Sequence, residues 1–147
     1  MIIIEVAGGL GNQLQQYALY RKFLSLGKDA RLDVSWFEAE NQGKMLAGRE
    51  LELQFFEGLS YSVCTPEEKA ALVGGAGLTG KLKRKLFPSV IHCFHESQMY
   101  HPELLGYEHM YLKGYFACEK YYRDILPELR DEIRFPVSNN SRNEQIA

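Results

Sequence analysis

Two glycine runs, one acidic residue and a short histidine–cysteine pattern are the places where this sequence could do chemistry. Gly8-Gly9-Leu10-Gly11 follows the β-branched run Ile2-Ile3-Ile4-Glu5-Val6 and precedes a helix-forming stretch. A strand, a glycine turn and a helix start together expose unpaired N–H groups and the positive end of a helix dipole. That combination suits a phosphate, or lets a sugar lie against bare backbone. The bland counterpart is a tight turn that serves only to pack helix on sheet. The dinucleotide pattern G-x-G-x-x-G needs a glycine at 14 when Gly9 and Gly11 lead it, and Leu14 stands there. Asp33 does lie about twenty residues past the turn, where a ribose-binding acid would sit. An NAD-type nucleotide site is therefore the rival reading, with two of its three elements in place.

The other candidates weaken on inspection. Gly75-Ala76-Gly77-Leu78-Thr79-Gly80-Lys81 begins like a P-loop, but Leu82 follows where a Mg²⁺-holding Ser or Thr belongs, and a helix precedes it instead of a strand. We read it as a solvated, mobile loop. In His92-Cys93-Phe94-His95, strand geometry puts Cys93 and His95 on one face and His92 on the other, with no second ligand pair at zinc spacing. No metal site is expected. Lys81, Lys83, Arg84 and Lys85 form a compact basic cluster, readable as a solvated face or as a weak contact for anionic headgroups or a lipid-linked phosphate. Carboxylates are plentiful, yet no spacing pairs two of them for acid–base work, and no nucleophile–base arrangement stands out. Catalytic residues stay unassigned.

The elements that would position these groups alternate between strand and helix. Ile2–Val6 reads as a buried strand. Asn12 offers a cap oxygen for a helix over 13–26, with Tyr17, Tyr20, Phe23 and Leu24 on one side and Gln15, Arg21, Lys22 and Ser25 on the other. Gly27 should end it. Residues 30–34 form the next strand, completing a βαβ unit that implies a parallel sheet. Alternation over 49–55 suggests a half-exposed strand or a short helix edge. Thr65-Pro66-Glu67-Glu68 carries a capping box with proline in the first turn, for a helix that stops at Gly74-Gly75. Strands are expected over 89–94 and 111–116, then helix over 119–135 divided or restarted at Pro127. The polar stretch 138–147 shows no closing element.

With 147 residues the chain can bury a core, and its 46% hydrophobic and 24% charged residues fit a globular domain. A net charge of -2 gives no field that would select nucleic acid. Three cysteines, Cys64, Cys93 and Cys118, make no disulfide framework and suggest a reducing compartment. Met1–Val6 lacks the basic start of a signal peptide, and no apolar run approaches membrane-spanning length. The expectation is a cytoplasmic protein, with peripheral contact at the inner membrane face through the basic cluster.

The string Gly8-Gly9-Leu10-Gly11-Asn12-Gln13-Leu14-Gln15-Gln16-Tyr17-Ala18 resembles the opening of the bacterial α-1,2-fucosyltransferases, the eleventh glycosyltransferase family, whose pattern is G-G-L-G-N-Q-[LM]-F-Q-Y-A after a short strand. Later landmarks fall in order. Leu32-Asp33-Val34-Ser35-Trp36-Phe37 is similar to L-D-x-S-x-F, and Arg49-Glu50 precedes an L-x-x-F segment. Tyr111-Leu112-Lys113-Gly114-Tyr115-Phe116 and Glu119-Lys120-Tyr121-Tyr122 are similar to Y-L-x-G-Y-F-Q-S-E-K-Y-F. The resemblance spans residues 1–136, with the middle stretch unmatched. Three departures stand out: Gln15 replaces Phe, Ala117-Cys118 replaces Gln-Ser, and the donor motif H-x-R-R-G-D-Y is not among these residues.

The resemblance implies the N-terminal half of a GT-B enzyme built from two Rossmann-like domains. Residues 1–136 would be the acceptor-side domain, and 137–147 a tail leading to a donor-binding domain this chain lacks. The implied reaction is inverting transfer of fucose from GDP-fucose to the 2-hydroxyl of a galactoside, in glycan or surface-polysaccharide synthesis, with no metal or other cofactor. The isolated half would be inactive. Gly9, Gly11, Asn12 and Gln13 would face the cleft: the glycines admit backbone N–H groups to the donor, and the two amides bond sugar or phosphate oxygens. Asn12 reads equally as a plain helix cap, and Asp33 as a structural residue near its strand end. A non-catalytic carbohydrate-binding fragment is the remaining alternative.

Overall fold

The computed structural model describes residues 1–38, 48–74, 82, 85–86, 92–97 and 99–135. Four short strands, β1 (Ile2–Glu5), β2 (Ala30–Asp33), β3 (Cys93–His95) and β4 (Met110–Lys113), form one sheet in the order β2-β1-β4-β3. Every neighbouring pair is parallel, with Ile4 opposite Leu32 on one side and Leu112 on the other. This is the α/β parallel sheet of a Rossmann-like fold. Helix α1 (Leu10–Ser25) joins β1 to β2, α2 (Pro66–Val73) lies between β2 and β3, and α3 (Leu126–Glu132) follows β4.

Helices cover both faces, which is why β1 is apolar without alternation. Ile2, Ile4, Leu32 and Leu112 pack with Tyr17, Leu19 and Phe23 of α1 and with Leu129 of α3. Ile3 and Tyr111 point the other way, against Leu72 of α2. Ile2, Ile3 and Ile4 are fully buried, each worth roughly 1.5–3 kcal/mol relative to exposure.

Several helix ends follow local sequence closely. Thr65 Oγ accepts the Glu68 N–H at 3.2 Å while the Glu68 carboxylate accepts the Thr65 N–H at 2.8 Å, completing the expected capping box. Gly74, at φ 86°, closes α2 in the left-handed region. Gly27, at φ 74°, ends α1 in the same way, as expected. Pro127 lies in the first turn of α3, so it starts a helix.

Other expectations need correction. The α1 N-cap is Gly9, so Asn12 is the third helical residue and not the cap. Lys22 is not on a solvated face. It is buried, and its ammonium meets Asp124 at 2.6 Å, because residues after β4 wrap over that side of α1. Of the two readings of residues 49–55, the short helical one stands: residues 52–55 form a 3-10 helix and not a strand, with Leu53 buried, Phe55 exposed and Phe56 taking the inward place. The strand expected to run to Phe116 ends at Lys113, where Gly114 turns the chain. Before α3, the expected helical stretch is 3-10 and not α: two short 3-10 helices cover Glu119–Tyr121 and Arg123–Ile125. The P-loop-like run, most of the basic cluster (Lys81, Lys83, Arg84), residues 89–91 and the tail from 136 lie outside the described residues, whereas Lys85 is exposed.

Candidate functional site

The carboxyl ends of β1, β2 and β4 share one edge of the sheet, the edge where open α/β sheets offer a ligand crevice. At the end of β1, Gly8 takes φ 82° and Gly9 caps α1 with no side-chain bond to the helix N–H groups. The first turn of α1 carries no acidic residue. Its N–H groups and positive dipole end are therefore not answered from within that turn. Gly11 is exposed, and a Cβ placed there would meet none of the described residues within 4 Å.

Two further side chains frame this mouth. Arg49 Nη1 would lie 3.9 Å from a Cβ at Gly9, so a guanidinium borders the turn. Tyr115, half exposed, would lie 3.4 Å from a Cβ at Gly8, and offers a ring beside the bare backbone. A constrained turn carries Tyr115. Gly114 takes φ 156° with Glu96 packed so close that a Cβ would collide with it, and Phe116 takes φ 53°, rare for a non-glycine residue. The Glu96 carboxylate accepts the N–H groups of Tyr115 and Phe116 at 2.8 and 2.7 Å, and full burial of the Phe116 ring holds the strained backbone.

Two buried glutamines tie these loops together. Gln16 accepts the Ala7 N–H at 3.0 Å and donates to the Gly114 carbonyl at 2.8 Å, linking the ends of β1 and β4. Gln13 donates to the carbonyls of Gly8 and Glu50, both at 3.0 Å, and accepts the Glu52 N–H at 2.8 Å. Of the four residues expected at the cleft, Gly9, Gly11 and Asn12 are therefore at or near the mouth. The Asn12 amide lies over Gly8. Gln13 is fully buried, with both ends of its amide bonded to backbone, and acts as the strut that holds Arg49's loop against the glycine turn.

A second polar cluster occupies the opposite, α2-facing side of the same edge. Asp33 accepts the Tyr111 hydroxyl at 2.6 Å, the Lys69 ammonium at 2.7 Å and the Ser35 N–H at 3.0 Å. Tyr111 also donates to Glu5 at 3.0 Å, and Lys113 pairs with Glu5 at 3.0 Å. Burial by itself would raise the Asp33 carboxyl, but the bonds from Lys69, Tyr111 and Ser35 prevail and hold it below the ordinary carboxylate range. Burial and the two carboxylates push the Tyr111 hydroxyl far up, so it stays a donor. Asp33 thus has the structural role expected near its strand end.

Among the described residues no group of three or more His, Cys, Asp and Glu could hold a metal, and no helix is long and apolar enough to cross a membrane. Cys93 Sγ and His95 Nε2 share a face at 3.4 Å as a pair alone. No protein-family model, curated protein or solved structure matches this chain. In the sequence Arg49 and Tyr115 stand only as motif landmarks; their place in the site depends on contacts between loops far apart in the chain.

Proposed function

We propose that the chain is the acceptor-side, Rossmann-like half of a GT-B α-1,2-fucosyltransferase, in which the glycine turn faces GDP-fucose. The observation that carries this reading is the convergence of Gly8–Gly11, Arg49 and Tyr115 at one open helix N-terminus. The three come from separate segments that each resemble the family's motifs. Chemically, the helix N–H groups and a guanidinium favour oxyanions, and the tyrosine ring favours the C–H face of a sugar or base. In the inverting transfer the galactoside 2-hydroxyl oxygen bonds to fucose C1 while the bond from C1 to the phosphate oxygen breaks. The electron pair leaves with GDP, and the hydroxyl proton is lost. Charge grows on the departing diphosphate, so cationic groups there contribute most.

Asp33 weighs against the NAD-type alternative. It is nearly buried and holds three protein donors, which leaves it poorly suited to a ribose. The arginines of H-x-R-R-G-D-Y are not in these 147 residues, so transfer requires a polypeptide that carries them. The test combines the purified chain with a donor-binding half bearing that motif and follows fucose transfer from GDP-fucose to a galactoside. Transfer by the combination, and by neither part alone, is the expected outcome. Transfer by this chain alone, or thermal protection of it by NAD and not by GDP-fucose, contradicts the reading.

A further inference from the structure

Beyond β3 the chain brings a serine, a histidine and a carboxylate into line. Ser97 Oγ lies 2.6 Å from His101 Nε2, and His101 Nδ1 lies 2.9 Å from Glu103 Oε1. Spacing alone does not pair them, because neither Ser97 nor His101 lies in a helix. The fold holds both. Ser97 follows Glu96, whose N–H donates to the Lys113 carbonyl at 2.8 Å and whose carboxylate clamps Tyr115 and Phe116. His101 donates its backbone N–H to the Tyr121 hydroxyl at 2.9 Å, and its ring meets Phe94 edge-on at 5.2 Å between centroids. The His101 carbonyl accepts the Leu104 N–H at 3.1 Å. Leu104 is fully buried, which anchors the 3-10 helix Pro102–Gly106 that carries Glu103.

The sense of each hydrogen bond follows from the carboxylate. Its own backbone N–H and His101 hold the Glu103 carboxyl below the ordinary range, so at neutral pH it is ionised and can only accept. Nδ1 of the neutral ring must then carry the proton, Nε2 offers a lone pair, and the Ser97 hydroxyl donates to it. In that arrangement an imidazole can remove a hydroxyl proton while the carboxylate steadies the imidazolium. The Met99 N–H donates to Ser97 Oγ at 3.3 Å and favours the oxygen as it becomes anionic. As a stabilising device the array contributes little, because Glu103 is 55% exposed and exposed pairs are weak.

We propose that Ser97 is the nucleophile of a second, hydrolytic site for carboxylic esters of short acyl groups, with His101 as acid–base catalyst and Glu103 as positioning residue. Ser97 Oγ bonds to the carbonyl carbon as its proton passes to His101 Nε2. The bond from that carbon to the alkoxide oxygen then breaks, and the alkoxide leaves with the proton. Water repeats the sequence on the acyl-serine, releasing the acid and restoring the hydroxyl. Exposure sets the substrate class: solvent screens the charges around the reacting atoms, which suits an ester and not an amide with its poorer leaving group. Met99, 70% exposed, and Tyr100 place apolar surface beside the serine for a short acyl chain. Ser97, His101 and Glu103 are not among the residues framing the glycine mouth, so the proposal stands independently of what that mouth binds.

The test incubates the full chain with a fluorophosphonate, which bonds to an activated serine oxygen as fluoride leaves, and locates the adduct by mass spectrometry. Hydrolysis of p-nitrophenyl acetate supplies the turnover assay. Ser97 should be the residue modified, and Ser97→Ala, at an exposed position, should abolish labelling and turnover. His101→Ala should slow both by about a hundredfold or more. Glu103→Gln should lower kcat by about tenfold with KM and the urea midpoint unchanged, which a merely structural role would not produce. An unmodified Ser97, or ester hydrolysis undiminished in Ser97→Ala or in Glu103→Gln, overturns the proposal.

Discussion

Replacing Asp33 by Asn tests the polar network most sharply, because the change is isosteric and its consequences differ bond by bond. The remaining amide oxygen can still accept the Ser35 N–H, now at 3.0 Å. The new NH₂ faces two former donors, the Tyr111 hydroxyl and the Lys69 ammonium, at 2.6 and 2.7 Å. Tyr111 can turn its proton fully to Glu5, already 3.0 Å away, and accept from the amide. Lys69 has no such alternative, but its side chain is 33% exposed and can recover water. The loss is therefore close to one charge-assisted hydrogen bond, about 2 kcal/mol, and below the ~3–5 kcal/mol for breaking a fully buried pair. In urea at neutral pH the midpoint should fall by about 1 M with the slope unchanged. The pH dependence carries the sign. Because the folded Asp33 carboxyl is held low, its stabilisation is complete above the unfolded value of about 3.9 and is lost as pH falls through the folded value. The difference between wild type and Asp33→Asn should thus narrow by about pH 3. An equal difference at both pH values, or a variant as stable as wild type at neutral pH, refutes the reasoning.

Gln15→Leu should stabilise the chain by about 1 kcal/mol: the Gln15 Oε1 is buried with no hydrogen-bond partner among the described residues, in a groove shared with Leu14, Ala18 and Leu129. A lowered urea midpoint contradicts this. Thr65→Ala should remove the capping box and cost about 1 kcal/mol, read as a lower Tm with the α2 amides exchanging faster. With its thiol at about 11, Cys64 should alkylate at about pH 8 roughly a hundredfold more slowly than free cysteine, by mass-spectrometric time course. Modification at the free-cysteine rate would show that the site opens.

Elements whose cause is local were legible in the sequence. The Thr65 box, the Gly27 and Gly74 stops and the apolar β1 each follow from a few adjacent residues, and the parallel sheet follows from β1-α1-β2. What stayed hidden depends on partners distant in sequence. Lys22 reads as a surface residue until Asp124 is brought to it, Gln13 reads as a ligand contact until the backbone of residues 50–52 meets it, and nothing local marks Gln16 for its bond to the Gly114 carbonyl. Polar side chains carry no mark of burial when their satisfaction is long-range. The candidate site divides the same way: the glycine turn could be read directly, while Arg49 and Tyr115 join it only through those struts and the Glu96 clamp.

Gly11→Trp tests the account at its centre. Among the described residues nothing lies within 4 Å of a Cβ placed there and Gly11 is exposed, so the urea midpoint should change little while the indole covers the helix N-terminus. With a donor-binding half supplied, fucose transfer should fall by about a hundredfold or more. Undiminished transfer by this variant would contradict the assignment of the glycine mouth.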